Sequence, residues 1–408
     1  MYIALRTVIA AFYDVNVIGV VRVTDVAGIG FPIVLLIYTA RSGGSREIPA
    51  RGIIHAIVAW MIIALIFHNI IYDTYLPIYK QAKQFARFLN AYAVFLAFPL
   101  IFRNMKDAEK LMKAFMLSTV FPLVQIVMIQ GGVLSGSAYV DSGMITGVYG
   151  NYGVFVLVGV SGALVTMYWL TIQEFSGAKR VIVWLMLVTY IAVILLTLSR
   201  TAFVLASIII VALIFSQLKV ARFKNLILGI IVLALFATSA FVQDRFERIE
   251  QRSQNEFKVL AGEKDVGQGL HGRIGRWEWA LEIYYYEYDL IQKAVGADVY
   301  IGPHGDYVFW LTSYGAVGLI LYLAFVFSCT KVAFVYRSRA KDSKIKSYAL
   351  LVLTAWVVWI VTAISTNSSF MPDYSYFIVG NTAVLFGMHA YMGESADKTQ
   401  SLEKIGKL

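Results

Sequence analysis

The chain has one cysteine, Cys329, in 408 residues. A single thiol excludes an internal disulfide and any zinc or iron–sulfur centre built on several cysteines. Charge is also scarce: 15% of residues are Asp, Glu, Lys or Arg, where soluble domains carry about 25%. So little charge beside so much apolar surface excludes both a soluble fold and intrinsic disorder. No cluster of acidic, His or Cys residues has metal-ligand spacing, so no metal and no cofactor is expected. There are no internal repeats and no low-complexity runs. The first apolar stretch holds Arg6 and Asp14, and no small-residue cleavage site follows it. That stretch is therefore expected to be retained.

What is abundant is apolar sequence, 59% of residues, with a mean hydropathy of +0.70. This predicts an all-α polytopic membrane protein. Apolar stretches of about 17–25 residues suit helical spans. About twelve occur, near 3–20, 25–41, 52–72, 84–103, 110–130, 147–171, 180–198, 201–217, 224–242, 307–336, 347–366 and 374–392. The first two are the weakest, because Arg22 and Asp25 crowd their junction. The segment 307–336 is long enough to be one tilted helix with an end outside the membrane.

Lys and Arg exceed Asp and Glu by 35 to 25, a net charge of +10. In a soluble protein that surplus would suggest nucleic acid. In a membrane protein it follows from cationic cytoplasmic loops, so no nucleic-acid partner is expected. The basic residues fall in alternate loops: Arg41, Arg46 and Arg51; Arg103, Lys106, Lys110 and Lys113; Lys179 and Arg180; Lys219, Arg222 and Lys224; and a last group from Arg337 to Lys346. The intervening loops hold only Arg22, Lys80, Lys83, Arg87 and Arg200. The asymmetry predicts cytoplasmic termini. It divides the chain into a bundle at 1–243, an outward loop module at 244–306, a second bundle at 307–393 and a polar tail at 394–408. The module opens on a charged helical pattern, Asp244 to Glu250. Its second half carries Ile274, Trp277, Leu281, Tyr284 and Tyr288 at helical spacing, which suggests a helix lying on the membrane surface or on the bundle.

Three outward features bear chemistry. Arg200, in Thr197-Leu198-Ser199-Arg200-Thr201, sits where two apolar segments meet. It is either a snorkelling side chain or an anion clamp, since guanidinium presents a rigid fork of donors to phosphate oxygens. Arg273 and Arg276, in Gly272-Arg273-Ile274-Gly275-Arg276-Trp277, share one helical face as a solvated patch or a second phosphate contact. His304, in Gly302-Pro303-His304-Gly305-Asp306-Tyr307, precedes a helix start. It is either a packed ring or a general base, with Asp306 as a weak orienting candidate. His55, His68 and His389 read as structural. Lys80, Lys83 and Arg87 form a further outward cluster that would hold a lipid phosphate or snorkel. Gly147, Gly150 and Gly153 read as close-packing residues rather than a nucleotide loop.

Together these features resemble the O-antigen ligase and polymerase superfamily, bacterial membrane glycosyltransferases of the GT-C type. The resemblance rests on Ser199-Arg200 closing an apolar helix, on Gly272-Arg273 with Trp277 four residues later, and on Pro303-His304 with Tyr307, Gly315 and Gly318. It covers roughly residues 140–330 by motif and the whole chain by layout. Gly305 departs from the Asn or Ser the family often has after its histidine. Arg276 competes with Arg273, and Asn151 is the candidate for an Asn that follows glycine. The resemblance implies catalytic Arg200, Arg273 and His304, with Arg276, Trp277, Tyr307, Asn151, Lys80 and Lys83 toward substrate. It also implies a donor glycan on undecaprenyl diphosphate and inverting, metal-independent transfer at the periplasmic face of the bacterial inner membrane. The acceptor would be another lipid-linked repeat unit in a polymerase, the favoured reading, or lipid A-core in a ligase. A chain-length regulator is a possible partner. Trp277, Trp279 and Tyr284 would stack on sugar faces. Transport is the competing class.

Overall fold

The structure, a computed structural model, describes residues 16–18, 21–43, 47–71, 78–130, 152–173, 175, 177–197, 200–217, 258–259, 261–263, 269–297, 305–366, 371 and 374–389, and singly Ile3, Leu5, Ile9 and Gln254. The expected span at 224–242, the module's charged opening and the tail lie outside the described residues.

Within them the chain is almost wholly helical. A short antiparallel pair, β1 (Asn16–Ile18) and β2 (Val21–Arg22), precedes α1 (Val23–Arg41). The single helical span expected at 3–20 therefore does not run through to residue 20. The local sequence gives the reason: Val, Ile and Gly dominate residues 17–21, and β-branched residues favour extended backbone. Next come α2 (Arg51–Ile70), α3 (Ile78–Ile101), α4 (Met105–Gln130), α5 (Tyr152–Ile172), α6 (Gly177–Leu196) and α7 (Arg200–Gln217). The later part holds α8 (Gly269–Glu282), a π-helical turn (Ile283–Glu287), α9 (Leu290–Val295), α10 (Asp306–Arg339), α11 (Ser343–Ser365) and α12 (374–389). Among the described residues, 7 helices are long and apolar enough to cross a membrane: α1, α2, α3, α5, α6, α10 and α11. The protein is thus an all-α membrane protein in its described part.

Helix α5 is the hub. Its apolar window is 94% buried, and it packs on α4, α6, α7 and α11. A helix apolar all round is stable only where neighbours or lipid cover every face. Close approach is set by small residues. A Cβ on Gly162 would meet the Tyr190 ring at 2.3 Å, and Gly380 and Gly387 of α12 lie against Phe98 and Pro99 of α3. Several buried polar side chains are satisfied across helices. Tyr348 donates to Asn381 at 2.6 Å, Trp356 Nε1 donates to Thr382 at 2.9 Å, and Tyr376 bonds Asn90.

Helix α10 is not one rod. Its 34 residues would span about 51 Å if straight, well beyond a bilayer core of about 30 Å. Gly315 has φ 68° and ψ −176°, which breaks the helix. Asp306 and Tyr322 are 16 residues apart, a separation of about 24 Å along a straight helix. Yet the Tyr322 hydroxyl donates to Asp306 Oδ2 at 3.1 Å. The short arm, 306–314, is therefore folded back against the long arm, 316–339, with Gly315 at the corner. Trp310 stacks on Tyr322 with centroids 5.1 Å apart and planes 11° from parallel.

Candidate functional site

The module's described part, α8 to α9, docks on the bend in α10. Helix α8 carries Arg273, Arg276, Trp277 and Trp279. The expected aromatic stripe does not continue as one helix. The π turn adds a residue to the winding and shifts the register, and Asp289 then caps α9 by accepting from Gln292 N at 2.7 Å. Tyr284 and Tyr288 are buried and committed to structure. Tyr284 donates to Lys293 O at 2.9 Å, and burial pushes its phenol up from the ordinary value. Tyr288 donates to Ala297 O. Tyr284 is thus turned toward the module's own fold rather than toward a sugar. Trp279 is half exposed, while Trp277 is partly buried with an indole N–H that has no partner among the described residues. Arg276 is exposed and Arg273 half-buried.

The docking is tight because two glycines face each other's backbone. A Cβ on Gly315 would fall 2.1 Å from Ala294 O, and one on Gly296 would fall 2.4 Å from the Ser313 backbone. Both glycines have positive φ, which side chains with a Cβ rarely adopt. Ala297 N donates to Thr312 O at 3.1 Å. Helix α2 completes the joint: Trp60 Nε1 donates to Tyr314 O at 2.9 Å, and His68 Nε2 bonds Gly296 O at 3.0 Å. The indole thereby caps a carbonyl where the break interrupts the helical ladder.

The short arm begins two residues after His304, which itself lies outside the described residues, as does Asn151. Gly305 is buried, and a Cβ there would be 2.7 Å from Ile364 O of α11. That close approach supplies a reason for glycine at the position where the resemblance expects Asn or Ser. Asp306 is fully buried. Tyr322, which donates to it, in turn accepts from Trp359 Nε1 at 2.8 Å. A buried carboxylate needs such donors, and the N-terminus of the short arm adds a favourable dipole. Tyr307 is half-buried, and its hydroxyl donates to Ile360 O at 3.0 Å.

The remaining candidates stand apart from this joint. Arg200 opens α7 just after the turn at Thr197, whose hydroxyl donates to Ile194 O at 2.7 Å. The Arg200 and Lys80 side chains lie outside the described residues. Lys83 forms an ion pair with Asp25 at 2.7 Å, so the N-terminus of α1 and that part of α3 share one end of the bundle. At the opposite end of α3, Lys344 pairs with Glu109 at 3.0 Å and Lys113 lies over Trp169 at 5.8 Å. His55 bonds Tyr92 and Arg51, and His389 stacks on Tyr336.

Sequence reading did not single out Gly315 as a corner, nor Trp60, Ser313 or the Asp306–Tyr322–Trp359 chain. The excess length of the 307–336 segment, with a glycine a short way in, was the available signal. Compared with known proteins, the chain matches no protein-family model and no curated protein.

Proposed function

We propose that the chain is a membrane glycosyltransferase that takes a glycan from a lipid diphosphate, as an O-antigen-type polymerase. In this reading about twelve spans carry the module on the periplasmic side of a bacterial inner membrane. Arg200 and Arg273 bind the diphosphate and hold the charge that develops on it as it leaves. His304 accepts the proton of an acceptor hydroxyl. The hydroxyl oxygen forms the new bond to the anomeric carbon on the face opposite the departing oxygen, and the electron pair of the broken bond stays on the diphosphate. Arg276 and Trp277 flank the donor. The observation that carries the reading is that α8, bearing Arg273, packs on α10, which starts two residues after His304.

Deletion in the native host, with complementation, tests it on a gel of surface lipopolysaccharide. Core bearing a single repeat in the deletion strain is the expected result. Bare core with accumulated lipid-linked polymer would mean a ligase. An unchanged ladder would overturn both. Complementation by well-expressed His304→Ala or Arg200→Ala would remove that residue from the mechanism. One observation favours transport instead: α10 is interrupted, as substrate-binding helices of transporters are. Export that fails while polymer of normal length accumulates inside would favour that class.

A further inference from the structure

Beside the corner at Gly315, a cleft opens between α2, α3 and the short arm of α10. The cleft has about 10 Å³ of water-accessible space, room for one water-sized group, within about 270 Å³ of empty volume that includes the open solvent at its mouth. Four polar side chains line it: His68 from α2, Gln81 and Gln84 from α3, and Ser313 from α10. Phe85 and Tyr314 supply aromatic walls. Among the described residues no Lys, Arg, Asp or Glu lines it, and Lys83 on the same helix as Gln81 and Gln84 is paired with Asp25.

Ser313 is the telling residue. It is 2% exposed, yet its hydroxyl has no hydrogen-bond partner among the described residues. Serines in apolar helices ordinarily bond the carbonyl one turn back. In this protein Thr312, Thr330 and Ser338 all do so. A buried hydroxyl left without a partner is unfavourable, so its persistence in the lining of a cleft points to a group that arrives. His68 Nε2 must donate to Gly296 O, because a carbonyl only accepts, and this leaves Nδ1 of the neutral ring as an acceptor. The cleft thus offers uncharged donors and acceptors beside aromatic faces. That combination suits a saturated ring with hydroxyl edges and C–H faces, and it disfavours an anion.

We infer that this cleft is a binding site for a neutral sugar, with one hydroxyl or hydroxymethyl group seated against Ser313. The cleft chemistry alone selects a neutral polyhydroxylated ligand. Assigning that ligand as the acceptor glycan rests on the proposed transfer activity.

The full chain, purified in a detergent with no sugar headgroup, would be examined by saturation-transfer NMR against methyl glucoside, methyl galactoside and methyl mannoside, with glucuronate as the anionic control. At least one methyl glycoside should receive saturation, and glucuronate should bind roughly tenfold more weakly. Ser313→Ala removes a hydroxyl that bonds nothing among the described residues, so it should leave the melting temperature unchanged. It should also weaken glycoside binding roughly three- to tenfold. Ser313→Val should fill the enclosed space and abolish binding. The inference is overturned if no methyl glycoside binds, or if Ser313→Ala binds as the parent does. A melting temperature several degrees lower in Ser313→Ala would also overturn it, because the hydroxyl would then be holding a structural water. Glycoside binding without glycan transfer in cells would keep the site and remove the transferase reading. Transfer without glycoside binding would do the reverse.

Discussion

The short arm of α10 buries Asp306, Trp310, Thr312 and Ser313, whereas the long arm exposes Ile320, Leu323, Phe327 and Phe334. Both belong to one apolar stretch of sequence. The short arm is fixed by directional contacts: Tyr322 to Asp306, Trp60 to Tyr314 O, Ala297 to Thr312 O, and Gly315 against Ala294. The exposed side of the long arm needs only to be apolar. The difference teaches that the short arm has a specified place and that one face of the long arm has only a specified polarity. Loss of a single atom group should therefore be felt in the first and hardly at all in the second.

The largest effect is expected at the corner. Gly315→Ala places a Cβ on the Ala294 carbonyl and forces a non-glycine residue to φ 68°. Strain of about 1–3 kcal/mol adds to overpacking of about 1–3 kcal/mol. The variant should fail to give a monodisperse peak in fluorescence-detected size exclusion. A normal peak and melting temperature would mean the corner is not tight. Next is Asp306→Ala, which leaves the Tyr322 hydroxyl without its buried acceptor. It should lower stability by about 1–3 kcal/mol, read as a drop in melting temperature that Asp306→Asn partly restores. Trp60→Phe keeps the ring and removes only the donor to Tyr314 O. About 1 kcal/mol is expected, and a matching loss of amide protection near residues 294–297 in hydrogen exchange would confirm the joint. The smallest effect is expected for Phe327→Ala, on a side chain 68% exposed. A change beyond about 0.5 kcal/mol there would break the comparison and indicate that this face of the long arm meets a partner rather than lipid.

A parallel contrast separates α1 from α5. Their apolar windows have nearly equal hydropathy, 1.8 and 1.9, but burial of 17% and 94%. In a membrane, lipid and protein are comparably apolar, so hydropathy reports that a helix is embedded and says little about which face meets protein. The candidate site divides in the same way. Arg200 and Lys83 are visible in sequence because a cation beside an apolar run stands out by itself, and Arg273 and Arg276 because their spacing puts them on one helical face. The burial of Asp306 and the Ser313 hydroxyl, unpartnered among the described residues, are not visible, because each depends on what lies across the interface.

The sequence by itself determined the helical class and the positions of most of the described helices. These follow from one-body properties: the bilayer fixes how long an apolar run must be, and charge fixes where it stops. Tertiary structure alone decided that α5 is the hub, that α10 doubles back at Gly315, and that a polar cleft opens beside the corner. These depend on pairs of surfaces meeting at van der Waals distance. A missing Cβ at residue 315 matters only because Ala294 lies on the other side.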